Sequence, residues 1–172
     1  MSKAVMISIK PQCCKLITQG KKTVEVRKTK SKLKTPFKCY IYETKGLYRG
    51  NGGCLFQGLG KVIGEFVCDY IEEYSAVQSK ITGCVEYQIS LQKLCEDIYL
   101  SIHEFCSYGN GKPLYGWHIS DLVIYDKPKD LYEFSKHDNS YDNAFGWVFD
   151  DRLKNVQLTR PPYPWSYVEE KE

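Results

Sequence analysis

Apolar and polar positions alternate along this chain in short runs that predict more strand than helix. Ala4 to Ile9 (AVMISI) is an apolar run of strand length, and Pro11 then fits the first turn of a helix reaching about Gln19. Gly20 stands where a C-terminal cap belongs. From Thr23 to Val26 the period becomes two: Val24 and Val26 point one way, and Thr23, Glu25 and Arg27 the other. That is the pattern of a half-buried strand with Glu25 and Arg27 side by side on its polar face and Lys22 just before them. Phe37 to Tyr42 (FKCYIY) and Gly60 to Tyr70 (GKVIGEFVCDY) are β-prone, and the glycine-rich stretch from Gly46 to Gly60 between them predicts a hairpin with a long loop. Ile89, Leu91, Leu94, Ile98, Ile102 and Phe105 recur near helical spacing, so one or two short helices are expected before Gly109 to Gly111 stop them. Leu114 to Tyr125 (LYGWHISDLVIY) returns to strand, and DKPKDLYEF reads as a turn followed by a helical half-turn.

The last third is less regular. Residues 135–157 form a polar, turn-rich stretch (KHDNSYDN) read as an insert or ordered excursion. Residues 158–172 hold three prolines with Tyr163, Trp165 and Tyr167, an extended segment expected to pack on the rest of the fold. The whole is predicted to be one domain over 1–172, α+β but mainly β, with five to six strands and flanking helices.

Composition bounds this picture. The 172 residues are 42% hydrophobic and 14% aromatic, enough to bury a core without disulfide staples. No stretch approaches 18 apolar residues, and the start MSKAVMISIK is too soon interrupted by lysine to be a signal peptide, so a cytoplasmic protein without a membrane span is expected. The eight cysteines then read as reduced thiols, and their scatter, with no CxxC pair, offers no zinc site. Net charge is +3, but residues 21–38 carry eight cations (Lys21, Lys22, Arg27, Lys28, Lys30, Lys32, Lys34, Lys38) against Glu25 alone. A segment at +7 beside a remainder at −4 attracts phosphates through counterion release; the alternative is a solvated loop that aids solubility.

The opening ISIKPQCCKLITQGKKTVEVRK resembles the ASCH domain, a relative of the PUA RNA-binding domain, through its G-x-K-T-x-E-x-R element at Gly20, Lys22, Thr23, Glu25 and Arg27. The run YGWHISDLVIYDKPKDLYEF, with Trp117 and His118, and the terminal RPPYPWSYVEE are similar to the bacterial and phage form of that domain. The resemblance implies a small β-barrel with a cleft beside the first helix, binding RNA or a nucleotide or nucleoside. It also implies hydrolysis of acylated cytidine or of RNA in a few members. In the amidohydrolase branch a threonine stands where this sequence has Glu25, which weighs against the hydrolase.

Lys22, Glu25, Arg27 and Lys28 are therefore the expected ligand-reading cluster, the cations meeting phosphate or carbonyl oxygens and the carboxylate accepting from a base or ribose. Trp117 and Tyr40 are candidate stacking residues, although aromatic residues on strands more often pack a core. The competing reading makes Glu25 and Arg27 an ordinary same-face pair serving only the fold. If the chain were an enzyme, Lys22 and Glu25 would be the reactive pair with Glu104 as a third group, but Glu25 would tend to hold Lys22 protonated. No nucleophile elbow, P-loop or dinucleotide fingerprint is present, and His103, His118 and His137 stand in no sequence pattern that suggests an oriented general base. The expected function is binding of nucleic acid, RNA foremost, by a monomer that uses no metal or cofactor. A nucleoside or RNA hydrolase is one alternative, and an accessory protein docking through its aromatic tail is the other.

Overall fold

The computed structural model describes residues 2–50, 53–78, 85–136 and 157–171. The strands are β1 (Lys3–Ile9), β2 (Val24–Arg27), β3 (Phe37–Glu43), β4 (Gly46–Arg49), β5 (Leu55–Gly58), β6 (Lys61–Tyr74), β7 (Ala76–Gln78), β8 (Val85–Tyr87), β9 (Leu114–Lys129) and β10 (Trp165–Glu169). The helices are α1 (Pro11–Thr18), α2 (Leu91–Lys93), which runs into a π-helical turn Leu94–Ile98, and α3 (Ile102–Gly109). Six strands share one pairing order, β10-β1-β3-β6-β9-β2, while β4 with β5 and β7 with β8 form separate two-stranded ladders. All five expected strands lie in that order. It is linear among the described residues, so the expected barrel is seen as an open sequence of pairings.

The fold divides into two compact units, residues 1–12, 38–65 and 123–172 in the first and residues 13–37 and 66–122 in the second. Strands β6 and β9 each contribute one part to either unit. In the first unit β1 is parallel to β3 and antiparallel to β10, with Val5 opposite both Cys39 and Tyr167. Ala4, Val5, Met6 and Ile7 are all fully buried, which is why this strand reads as a continuous apolar run instead of an alternating one. Ala4, Met6, Tyr40, Tyr42, Val62, Phe134, Leu158 and Val168 make its core, with the Tyr40 and Phe134 rings 4.9 Å apart. The proline-rich end thus supplies a sheet strand, leaving Tyr163 before it 98% exposed. The glycine-rich stretch contains its own hairpin, β4 and β5, which the sequence pattern did not separate from a loop.

The second unit is built on β2, the distal part of β6 and the proximal part of β9. Val24, Val26, Tyr74, Tyr87, Leu94, Ile98, Phe105 and Leu114 form its core. The Phe105 ring meets Tyr87 and Tyr74 edge-on at 5.2 and 5.6 Å. Helix α3 starts with a capping box: Ser101 Oγ accepts from the Glu104 N–H at 3.2 Å, and Glu104 Oε2 accepts from the Ser101 N–H at 2.9 Å. Strands β6 and β9 run past their expected ends at Tyr70 and Tyr125, to Tyr74 and Lys129, since alternating polar residues continue a strand as well as apolar ones do.

The polar stretch 135–157 lies, but for Ser135, Lys136 and Gln157, outside the described residues, as do Cys84 and His137. No disulfide joins the seven described cysteines. No helix among the described residues is long and apolar enough to cross a membrane.

Two glycines test the packing separately from the backbone. A Cβ on Gly58 would fall 1.8 Å from the Thr44 carbonyl oxygen, a backbone atom that cannot turn aside, whereas Gly20 has open space around it but a φ of +68°. Gly58→Ala is expected to lower stability by about 1–3 kcal/mol through overpacking. Gly20→Ala should cost about 1 kcal/mol through backbone strain. Urea unfolding of both variants checks the order.

Candidate functional site

Helix α1 ends in a Schellman turn, with Gly20 N–H donating to Ile17 O at 2.8 Å and Lys21 N–H to Leu16 O at 2.9 Å. The reversal delivers Thr23 to the end of the π-helical turn, where its N–H donates to Asp97 O at 3.0 Å. Tyr99 closes that turn at a φ of 57°. Lys22 Nζ donates to the carbonyl of Ile98 at 2.6 Å, placing an ammonium on a helix end whose last carbonyls lack intrahelical partners. The same ammonium lies 3.5 Å from Glu25 Oε2, and Arg27 Nη2 lies 3.0 Å from Glu25 Oε1. One carboxylate sits between two cations.

All four residues of β2 are buried, and the side chains of Lys22, Glu25 and Arg27 are only 3%, 9% and 10% exposed. This corrects the expectation of a half-buried strand with an open polar face. The shared carboxylate, together with the Ile98 carbonyl on Lys22, is what makes the burial tolerable, because isolated charges at this depth carry a large desolvation cost. The structure brings together three of the sequence-predicted site residues, but in a shielded network.

Antiparallel pairing with β9 sets Glu25 opposite Trp117, Arg27 opposite Tyr115, Val26 opposite Gly116 and Val24 opposite His118. Directly opposed residues share a face, so Glu25, Arg27, Trp117 and Tyr115 lie on one side and Val24, Val26 and His118 on the other. Trp117 is fully buried with its ring edge-on to Phe37 at 5.6 Å and 87°. Tyr40 belongs to the core of the first unit, where its hydroxyl accepts from the Lys171 N–H at 2.8 Å. Glu104 caps α3, as described above. Of the candidate ligand residues, Lys28 is the exposed one, its ammonium 4.8 Å from the centre of the Tyr108 ring.

The cations of residues 21–38 accordingly divide by role. Lys22 and Arg27 are internal. Lys38 stands in the first unit between Glu65 and Glu170 at 3.5 and 3.6 Å; burial works against its charge, but those carboxylates and Tyr40 hold its pKa above the ordinary value. Lys21, Lys28, Lys30, Lys32 and Lys34 are exposed. Lys30 lies 5.3 Å over the Tyr115 ring and 3.6 Å from the exposed Glu73.

A second polar group lies on the His118 side of β9 and was not found in the sequence. Glu72 Oε2 accepts from Tyr74 OH at 3.1 Å, lies 3.3 Å from His118 Nε2 and is in close contact with Lys93 Nζ. Tyr70 stacks on the His118 ring with centroids 3.8 Å apart and planes at 17°. Glu72 is 46 residues from His118 in sequence, so proximity along the chain could not reveal the pair. The signal available was the period-two series Tyr70, Glu72, Tyr74 on one strand face. Burial pushes the His118 pKa below its ordinary value, and the Glu72 hydrogen bond restores only part. Burial raises Glu72, but Lys93, His118 and Tyr74 outweigh it and hold the carboxyl below the usual range. Burial pushes the Cys68 thiol up to about 12, too high for a thiolate nucleophile at neutral pH. Among the described residues no three His, Cys, Asp or Glu side chains converge as metal ligands.

These groups yield two stability predictions. Glu25→Gln removes the one negative charge from between two buried cations and should destabilise by about 3–5 kcal/mol. Replacing Lys22, Glu25 and Arg27 together by Met, Leu and Met should cost much less, and comparing the two denaturation midpoints checks the assignment. The lowered His118 pKa means that the unfolded chain binds more protons just below pH 6.5, the ordinary histidine value. Stability contributed by neutral His118 is present above that pH and lost as pH falls through the folded value; the lowered Glu72 adds a second loss below 4.5. Tm should therefore fall on acidification from about pH 6.5, and His118→Gln should remove the upper part of the fall, read by thermal melts between pH 8 and 4.

No protein-family model and no curated protein sequence matches the chain. Among solved structures it is similar to the crystal structure of ASCH from Zymomonas mobilis, with a TM-score of 0.58 at 17% identity over 97% of this chain and 88% of that one. A single-substitution mutant of the same protein aligns with a TM-score of 0.56 at 18% identity over 97% and 89%. Together with the mainly-β architecture, these alignments show that the chain has an ASCH-type fold.

Proposed function

We propose that this chain binds nucleic acid, with RNA as the natural target, through the lysine-rich surface that follows β2. The observation that carries the reading is the separation of the cations. Lys22 and Arg27 are spent on Glu25, while Lys28, Lys30, Lys32 and Lys34 lie exposed within seven residues, two of them over the rings of Tyr108 and Tyr115. Ammonium groups in water attract phosphates through counterion release. The ASCH-type fold, a relative of the RNA-binding PUA fold by the resemblance noted above, is compatible with this use.

In this reading the buried trio is not itself the ligand cluster. It fixes the end of β2, from which the lysine segment departs, so Lys28 is the residue of the expected cluster that meets ligand. The protein then acts as a cytoplasmic RNA-binding module without a cofactor.

Four phosphate contacts predict that log K falls against log salt with a slope of roughly −3 for single-stranded RNA. Fluorescence anisotropy of a labelled single-stranded RNA across a potassium chloride series measures it. Replacing Lys28, Lys30, Lys32 and Lys34 by Gln should flatten the slope and lower affinity at low salt. A flat slope in the parent protein, or an unchanged one in the variant, removes the reading.

A further inference from the structure

The group around Glu72 is more open than the trio on the other face of β9. Tyr70 is 50% exposed although one face of its ring is covered by His118, so the other face is presented outward. The Glu72 and Lys93 side chains are 38% and 24% exposed. Lys93, Tyr74 and His118 all converge on Glu72 Oε2, and none of these contacts uses Oε1. An outward aromatic face thus stands beside a carboxylate acceptor and an ammonium donor.

From this juxtaposition we infer that Tyr70, Glu72 and Lys93 form a binding site for a nucleobase. The base stacks on the outer face of Tyr70, its exocyclic amine donates to Glu72 Oε1, and Lys93 donates to a neighbouring ring nitrogen or carbonyl oxygen. A hydrocarbon ring would cover Glu72 Oε1 and the remaining Lys93 ammonium hydrogens without offering either a hydrogen bond. A phosphate would meet the Glu72 carboxylate, with Asp97 close enough to act on the same His118, so the local charge selects the neutral part of a nucleotide. His118 supports Tyr70 from below and is itself held by Glu72, so the aromatic surface is ordered before ligand arrives, which lowers the entropic cost of binding. Bases carrying an amine, adenine, cytosine and guanine, are preferred over uracil, which has none to give Glu72.

The inference builds on the nucleic-acid reading but is separable from it, since a free nucleoside carries no phosphate. Titrating the full chain with adenosine, cytidine and uridine at low and high salt, followed by saturation-transfer NMR, is the test. Adenosine and cytidine should bind in roughly the millimolar range, independent of salt and ahead of uridine. Tyr70→Ala should weaken both by about tenfold or more, while Tyr70→Phe binds as the parent does. Tyr70→Leu keeps an apolar cover over His118 and removes the π-face, so it should also lose binding if Tyr70→Ala proves unstable. Glu72→Gln should narrow the preference over uridine. Absence of nucleoside binding by the parent protein overturns the inference, as does full affinity in folded Tyr70→Ala or Tyr70→Leu. Either result leaves the lysine surface to be decided by its own salt slope.

Discussion

Glu25 holds two cations on one carboxylate where water cannot reach them. Lys22 and Arg27 approach opposite oxygens of one carboxylate in a place where each side chain is nine-tenths or more buried, and Lys22 also closes the π-helical turn at Ile98. Without that carboxylate, two charges would be left in a low-dielectric setting, at a cost of several kcal/mol each. The pairing therefore conditions the course of β2, its register against β9 and the docking of Thr23 on Asp97. A buried ion network of this kind contributes little net stability compared with apolar packing, whereas removing one of its members is costly.

The two faces of β9 divide polar chemistry by exposure. On one, Trp117 and the Glu25 trio are sealed. On the other, His118, Glu72, Lys93 and Tyr70 form a group that is connected by hydrogen bonds and ring stacking and is partly open to solvent. Both contain a carboxylate joined to lysine, and only the second can exchange a partner for an incoming ligand without first breaking a buried pair. For this reason the inferred base site is placed at Tyr70, and the proposed phosphate contacts are placed on the exposed lysines of the second unit.

Much of the architecture was legible in the sequence. Periodicity located five strands of the six-stranded pairing order, Gly20 ended α1 where its φ requires glycine or an equivalent, and the helical spacing from Ile89 to Tyr108 became α2, the π-helical turn and α3. These features depend on local preferences, which a chain expresses wherever it lies. The hairpin of β4 and β5 and the strand at Trp165–Glu169 were harder to read, since glycine and proline announce turns and not the partners on either side of them.

The candidate site shows the same division. Sequence by itself determined that Glu25 and Arg27 share one strand face with Lys22 just before them, and that lysines would crowd residues 28–34. Whether those charges face water is settled by what covers β2, and only the tertiary structure decided that the trio is buried while Lys28 and Lys30 remain outside. It alone also brought Glu72 to His118 and Tyr70 onto the imidazole ring. Alternation tells which residues share a strand face, but solvent exposure and cross-strand partners depend on segments tens of residues away, whose placement no local pattern encodes.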